Sequence, residues 1–431
     1  MFAATLLPLI LAACDLQTEF AAPEAWKVSA QEFVSAHRAE GYRPVDQKMT
    51  VVNSLKAGAV HWGFCPLWES KLHFGPEGVS RIEMSLYNRG DAEGASETLE
   101  TLAELDELVK KVAKTLDPNG KMPPVERKKS RNGGVQCVCR WSDLFPAAEL
   151  TWGCSNDKGS VMRPDFVRLV LTPKGGPLST ISPMGVSRMK VKANVRKNPE
   201  GDVWIENVPM VDQGQKGYCA CAVTERVLRY YGSDIDEHQI AQMAGTSAQG
   251  GTSVAEMIRA VKAVFRAVKA VGLQCKLAFQ SIVSMTDSVK DIEKEAEKYN
   301  RVAKSLKAPT IDIKSCREGR TIMVGQIRDQ MRPEVVMKMR MKDVRYGKFL
   351  SGVKSQVDAG VPVFWGVTLG LFPERGIPQA RGGHMRLIIG YNAKTREILY
   401  TDSWGAGHER KRMPEDQAFA ITHDAFYLKP R

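Results

Sequence analysis

Outside its first fourteen residues the chain has no apolar stretch near the roughly 20 residues that a membrane-spanning helix needs. Everything after that point is therefore expected to stay out of the bilayer. Helix-turn-helix, zinc-finger and RNP-type texts are missing as well. The excess of base over acid is 61 Lys and Arg against 49 Asp and Glu, a net charge of +12. It is scattered, with small clusters at Glu126–Arg131 and Ser187–Lys197. A basic surface attracts anionic partners of many kinds, but with no reading motif beside it a solvated face is expected, and no nucleic acid. The chain is not poor in apolar residues: 43% are hydrophobic, which removes disorder as the default. Its 431 residues are long for one domain and comfortable for two.

A tidy cysteine framework is also missing. Cysteines stand at 14, 65, 137, 139, 154, 219, 221, 275 and 316. If Cys14 and Cys219 have other uses, an odd number remains for pairing. Cys137 and Cys139 share one face of a strand, but no second close pair completes a zinc site. Buried free thiols, or one or two disulfides, are expected rather than metal. The apolar run Met1–Ala13 lacks the Lys or Arg that normally opens a signal peptide. Even so, Leu11-Ala12-Ala13-Cys14 resembles the lipobox of bacterial lipoproteins. Residues 1–23 are expected to be a signal or lipoprotein segment, with Cys14 lipidated and acting as a membrane tether. Export follows from that, to the periplasm or outside of a bacterium; a cytoplasmic place follows if the segment is not a signal.

What is present divides the chain. Glu24–Gly41 has a short helical pattern, and Thr50–Leu86 alternates apolar and polar residues between glycines and prolines, as strands do. Ser96–Leu116 predicts an amphipathic helix with Leu99, Leu102, Leu105, Leu108, Val112 and Leu116 on one side. Strands return at VQCVCRW, AAELTWG and FVRLVLTP. Residues 24–173 therefore predict a smaller α+β domain of unknown role, and 174–202 a basic linker containing Gly and Pro. The second domain is expected over 203–431, with a charged helical insertion near 284–306.

Two segments of that second domain carry chemistry. In Val208–Gly232, a helix is predicted to start at Cys219 after an irregular loop holding Asp212-Gln213-Gly214 and Gly217. A thiol in the first turn of a helix sits at the positive end of its dipole, which favours the thiolate, the reactive form. Gln213, six residues upstream, can turn its amide back so that it and the Cys219 N–H stabilise an oxyanion. In Gly382–Gly405, a hairpin is predicted, with His384 opening one strand and Asp402 closing the other. The two meet at one end of the ladder, where an acid can orient the imidazole. Gly217 and Gly383 are candidates for lining the substrate path. Trp404 is a third such candidate, although packing over the Asp402–His384 pair is its more natural place.

In order and local text these segments resemble papain-like cysteine peptidases, and in finer detail the double-glycine-leader, bacteriocin-processing peptidase-like family. The features are Gln213–Cys219 spaced as Q-G-x-x-G-x-C, Val208-Pro209, Leu228–Gly232, Gly251-Thr252-Ser253, Gly360–Val363 and Ser403-Trp404-Gly405. The resemblance covers about residues 203–431. It implies a helix bearing the Cys packed on an antiparallel sheet bearing His and Asp. It further implies a peptidase that cuts peptide bonds of a peptide or protein substrate through Cys219, His384, Asp402 and Gln213, with no cofactor and no metal. Ala220-Cys221 departs from the usual Gly-Pro or Gly-Ala, and the chain has no transporter segments, so leader cleavage does not carry over.

Blander readings stand beside these. Cys is often buried without function. Cys221 is a rival nucleophile with Gln215 six residues before it, although Gly217 fits the register of Cys219. His408 and His423 are expected at the surface. A catalytically silent papain-like scaffold, and an amidase or transferase built on the same triad, are the alternatives to a peptidase. Cleavage preference and oligomeric state are not encoded in any motif.

Overall fold

Alternating patterns become strands here, and 3.6-residue patterns become helices that cover them. The computed structural model describes residues 14–92, 98–129, 134–156, 161–173, 188–214, 217–232, 240, 277–285, 289–319, 321–377 and 381–430. The apolar run before Cys14, Gln215, Gly251–Ser253 and Cys275 lie outside these. The chain divides into two units, 1–179 and 180–431, each α+β with antiparallel main sheets.

The first unit is built on an eight-stranded antiparallel sheet. Its long central strands, Gly78–Asn88, Met162–Thr172 and Ala147–Asn156, pair antiparallel, with one register shift at Gly153/Cys154 and another at Val167/Arg168. The predicted helix runs over Leu102–Leu116 rather than from Ser96: Thr101 accepts from the Glu104 N–H while the Glu104 carboxylate takes the Thr101 N–H. Such a reciprocal cap sets where a helix begins. The buried stripe is Leu105, Val109, Val112 and Ala113, and Leu102 is exposed. The true stripe has moved toward Val109, which the expected leucine set omitted. The sheet also carries an ion-pair ladder in which Glu83 meets Arg168 at 2.6 Å, Arg81 at 2.9 Å and His73 at 3.0 Å.

The second unit holds the other large sheet. Its strands run in the order Val195–Lys197, Asp202–Ile205, Gly382–Asn392, Val363–Leu369, Thr422–Pro430 and Leu277–Ser284, all antiparallel. Glu397–Thr401 pairs with Gly382–Asn392 as the predicted hairpin, and Lys411–Pro414 pairs with Glu397–Thr401. Residues 188–202, expected as linker, are part of this unit. A short helix, Arg188–Lys192, buries Val191 in the core, and Val195–Lys197 is a strand. The basic residues around Val191 hid that single apolar anchor.

The core lies where helices cover the sheet. Trp365 is fully buried, and its indole N–H donates to Thr422 Oγ1 at 2.8 Å. Phe364 stacks on Phe426 with centroids 4.9 Å apart; each buried aromatic of this kind is worth about 2–3 kcal/mol of transfer. The charged helix predicted near 284–306 is observed as Val289–Ser305. It buries Ala296, Tyr299 and Ala303, one stripe at spacings of three and four, and leaves its charges outside. His423, expected at the surface, is buried, with Arg328 Nη2 3.2 Å from its Nδ1. Burial, with Arg328 and Arg340 nearby, holds its pKa well below the ordinary value. Its strand neighbours are polar, and that concealed its position.

The eight described cysteines are all free thiols. Among the described residues no helix is long and apolar enough to cross a membrane.

Candidate active site

The helix Cys219–Tyr230 starts at Cys219, as the loop glycines predict, with Tyr218 as its N-cap residue. That end of the helix offers free N–H groups and the positive pole of the dipole. The loop before it is tied to the hairpin. The Gln213 N–H donates to the Ser403 carbonyl at 2.9 Å, and Asp212 bridges Trp404. Gly214 has φ +62° and donates its N–H to Asp212 Oδ1 at 3.0 Å. Gly405 has φ +77°, and an added Cβ would meet Asp212 Oδ2 at 2.9 Å. Both positions need glycine, so the loop carrying Gln213 and the turn after Asp402 are packed as one piece.

The hairpin delivers the other groups. Leu387 pairs with Thr401, so His384 and Asp402 both lie just past that pair, at the same end. His384 Nε2 is 2.7 Å from Asp402 Oδ1, and the imidazole also hydrogen-bonds the Cys219 thiol. Backbone N–H groups of Met385 and Ala220 add to the sulfur's partners. Cys219, His384, Asp402 and Gln213 are all buried. Burial pushes the thiol pKa up, but the His384 bond and charge outweigh it, and the net direction is below the ordinary value. Burial pulls His384 down, yet Asp402 and Cys219 lift it to about 9. Both shifts run in the direction that favours thiolate paired with imidazolium, the form in which sulfur is nucleophilic.

Trp404 lies flat on His384, centroids 4.4 Å apart and planes within 4°. Gly217 is half-buried at the helix entrance, and Gly382 and Gly383 are exposed. A Cβ at Gly382 would meet nothing within 4 Å. Cys221 is buried further along the helix, and His384 bonds the sulfur of Cys219. His408 packs edge-on to Trp404, and its carbonyl accepts the Asp402 N–H at 3.1 Å.

Cys14 belongs to the other unit. It is buried, and its thiol lies 3.3 Å from Glu19, which also meets His37 Nε2 at 2.8 Å. These three are the only metal-ligating cluster among the described residues, and they satisfy one another by hydrogen bonds.

Two charged residues at the site escaped the sequence reading. Arg226, two helical turns after Cys219, is fully buried; its Nε donates to the Pro209 carbonyl at 2.7 Å, Nη1 to the Asp402 carbonyl at 2.8 Å, and Nη2 to Thr401 Oγ1 at 2.6 Å. Arg386, two residues after His384 on the same strand face, is also fully buried, with Nε 3.2 Å from Asp402 Oδ1. The one available signal was the pattern itself, a lone arginine inside an apolar strand or helix face.

The comparisons with known proteins fall on these elements. Residues 207–313, which include the loop and helix of Cys219, match the model of the Peptidase C39 family. Residues 323–427, which include His384 and Asp402, match that of the Peptidase C39 like family. No curated protein matches the chain. Among solved structures, xylellain, a cysteine protease from Xylella fastidiosa, aligns with 57% of this chain and 90% of its own. The two are 11% identical, with a TM-score of 0.26.

Proposed function

Since residues 207–427 form a papain-like cysteine peptidase domain of the bacteriocin-processing C39 type, we propose that it hydrolyses peptide bonds through a Cys219–His384–Asp402 triad, with Gln213 in the oxyanion hole. The observation that carries this reading is the position of His384, bonded to Cys219 on one side and to Asp402 at 2.7 Å on the other.

The cycle has two halves. The Cys219 thiolate attacks the scissile carbonyl carbon, and the carbonyl oxygen takes the negative charge, facing the Gln213 amide and the Cys219 N–H. The C–N bond breaks as the imidazolium of His384 gives its proton to the leaving amine, which leaves a thioester on Cys219. Neutral His384 then takes a proton from water. The hydroxide formed attacks the thioester, and the sulfur leaves as thiolate beside the regenerated imidazolium. Asp402 stays ionised throughout and fixes the ring.

The test is alkylation and turnover at neutral pH. Iodoacetamide should label Cys219, with labelling lost in Cys219→Ala and slowed strongly in His384→Ala. A peptide library should be cut by the parent and by neither variant. An inert Cys219 thiol would leave a scaffold rather than a catalyst. Labelling without peptide cleavage, but with turnover of cell-wall amides, would make it an amidase.

Export and a lipid tether at Cys14 are a separate proposal, supported by the Leu11–Cys14 text. Palmitate incorporated by the parent and lost in Cys14→Ser would support it; no incorporation would end it.

A further inference from the structure

Asp402 has no solvent exposure. Its Oδ1 accepts from His384, while its Oδ2 has no hydrogen-bond partner among the described residues. An ionised carboxylate in that position needs positive charge nearby. His384 supplies one, but only while it is protonated, and the proposed cycle neutralises it midway.

Arg226 binds the Asp402 carbonyl, while a permanent positive charge at ion-pair distance from the carboxylate is Arg386. Its Nε stands 3.2 Å from Asp402 Oδ1 without hydrogen-bond alignment, so the contact is one of charge. The two outer nitrogens grip Glu374 as a fork, Nη1 to Oε2 at 2.8 Å and Nη2 to Oε1 at 3.2 Å. Its guanidinium lies 4.6 Å from the ring centre of Tyr400 and 5.6 Å from that of Trp365, and Tyr400 donates its hydroxyl to Glu374. Trp365 pairs with Arg386 across the sheet. Every element around the guanidinium therefore fixes it, and the fork and aromatic faces suit arginine better than lysine.

We propose that Arg386 is a positioning residue of this peptidase, a fixed buried charge that keeps Asp402 ionised through the whole cycle, with Glu374 setting how strongly that charge is felt. This rests on the triad proposed above. The charged or titratable groups facing the pair are Cys219 and Arg226 from the Cys219 helix, His384 from its own strand, Tyr400 from the partner strand, and His408 from the following loop. Burial works to raise the Asp402 pKa, and the Arg386 charge is the largest influence lowering it.

The signs follow from charge alone. Removing Arg386 takes away a positive charge, so Asp402, Cys219 and His384 all hold their protons to higher pH. An arginine beside an Asp lowers it by about 1–3 units, so in Arg386→Met the Asp402 proton is held to higher pH by about that much, and the acid limb set by Cys219 should climb in the same direction. Removing the Glu374 charge has the opposite sign, so in Glu374→Gln the acid limb should stay or move down.

The experiment is the pH dependence of Cys219 alkylation by iodoacetamide, with kcat and KM for a cleaved peptide, in the full-length protein. Expected are an acid limb shifted up in Arg386→Met, near the parent in Arg386→Lys, and unshifted or shifted down in Glu374→Gln, with KM little changed in each. If Arg386→Met does not fold, the doubly neutral Arg386→Gln/Glu374→Gln protein should show a smaller upward shift. Limbs that coincide with the parent, or that move up in both single variants, would overturn the inference and leave Arg386 a packing residue. A parent with no thiolate signature would instead overturn the triad.

Discussion

The imidazole of His384 and the indole of Trp404 are stacked, centroids 4.4 Å apart and nearly parallel. An imidazolium over an indole face gains cation–π attraction of about 0.5–2 kcal/mol, and the same ring keeps water from the Asp402 pair. Trp404→Ala is expected to lower kcat by about 2- to 30-fold, the fold-change of that energy range, with Trp404→Phe between it and the parent. The alkaline limb should also retreat, because the imidazolium loses a stabilising partner. Steady-state kinetics on one peptide decides it: a rise in KM alone would make Trp404 a substrate contact rather than a cover for the pair.

The pH profile of the parent follows from the coupled pair. The reactive state needs Cys219 deprotonated and His384 protonated. With the thiol held below its ordinary value of 9.0 and His384 raised to about 9, both shifts favour that state. It is lost on the acid side as sulfur takes a proton and on the alkaline side as the ring gives one up. A bell is therefore expected, with its upper limb near about 9. Alkylation that climbs steadily through the ordinary thiol range, with no neutral plateau, would show an unpaired thiol.

Asp402 separates orientation from charge. Asp402→Asn keeps an oxygen for His384 Nε2 but loses the negative charge, so kcat is expected to fall about 10- to 1000-fold, less than the roughly 10,000-fold a wrong tautomer costs a serine triad. In a thiolate–imidazolium pair the ring carries both protons, so there is no tautomer to be wrong. Asp402→Ala removes the acceptor as well, and Arg386 and His384 lose a buried counter-charge, a loss on the order of 3 kcal/mol. Its thermal midpoint should drop visibly while that of Asp402→Asn drops less. Equal midpoints in the two variants would mean that the accepting oxygen adds little to the fold beyond the charge that both remove.

The parts legible in the text were those in which local chemistry fixes geometry. A thiol after a glycine loop, a hairpin with His at one end and Asp at the other, and a stripe at helical spacing each specify a neighbour within a few residues. The helix start at Leu102 is masked in the sequence because Leu99 continues the helical spacing of the leucines, and the reciprocal cap of Thr101 with Glu104 overrides it. His423 and Arg386 were missed for a related reason. Their partners, Arg328 and Thr368 for one, Glu374 and Asp402 for the other, come from a helix, a strand and loops distant in sequence, which only the fold brings together. A buried charge is legible in sequence as an anomaly, but its partner is not.

Arg226 gives the sharpest stability prediction. Its burial pulls its pKa down to about 10, still far above neutrality, so it stays charged, and each of its three nitrogens donates a hydrogen bond. It joins the Cys219 helix to the Pro209 carbonyl in the loop leading to Gln213 and to the carbonyl of Asp402. Arg226→Met fills similar volume but leaves those two carbonyls without the donor. At about 1–3 kcal/mol for each buried acceptor stranded, less the gain from no longer burying a cation, the cost is expected at about 2–4 kcal/mol. Arg226→Lys, with one mobile ammonium in place of a fork, should lose roughly half of that. Urea melts give the stability change. Activity measured well below the transition gives the rest: if the helix and hairpin drift apart, kcat falls even in the folded fraction. Full kcat in a destabilised protein would show that the triad's register is held by the sheet alone.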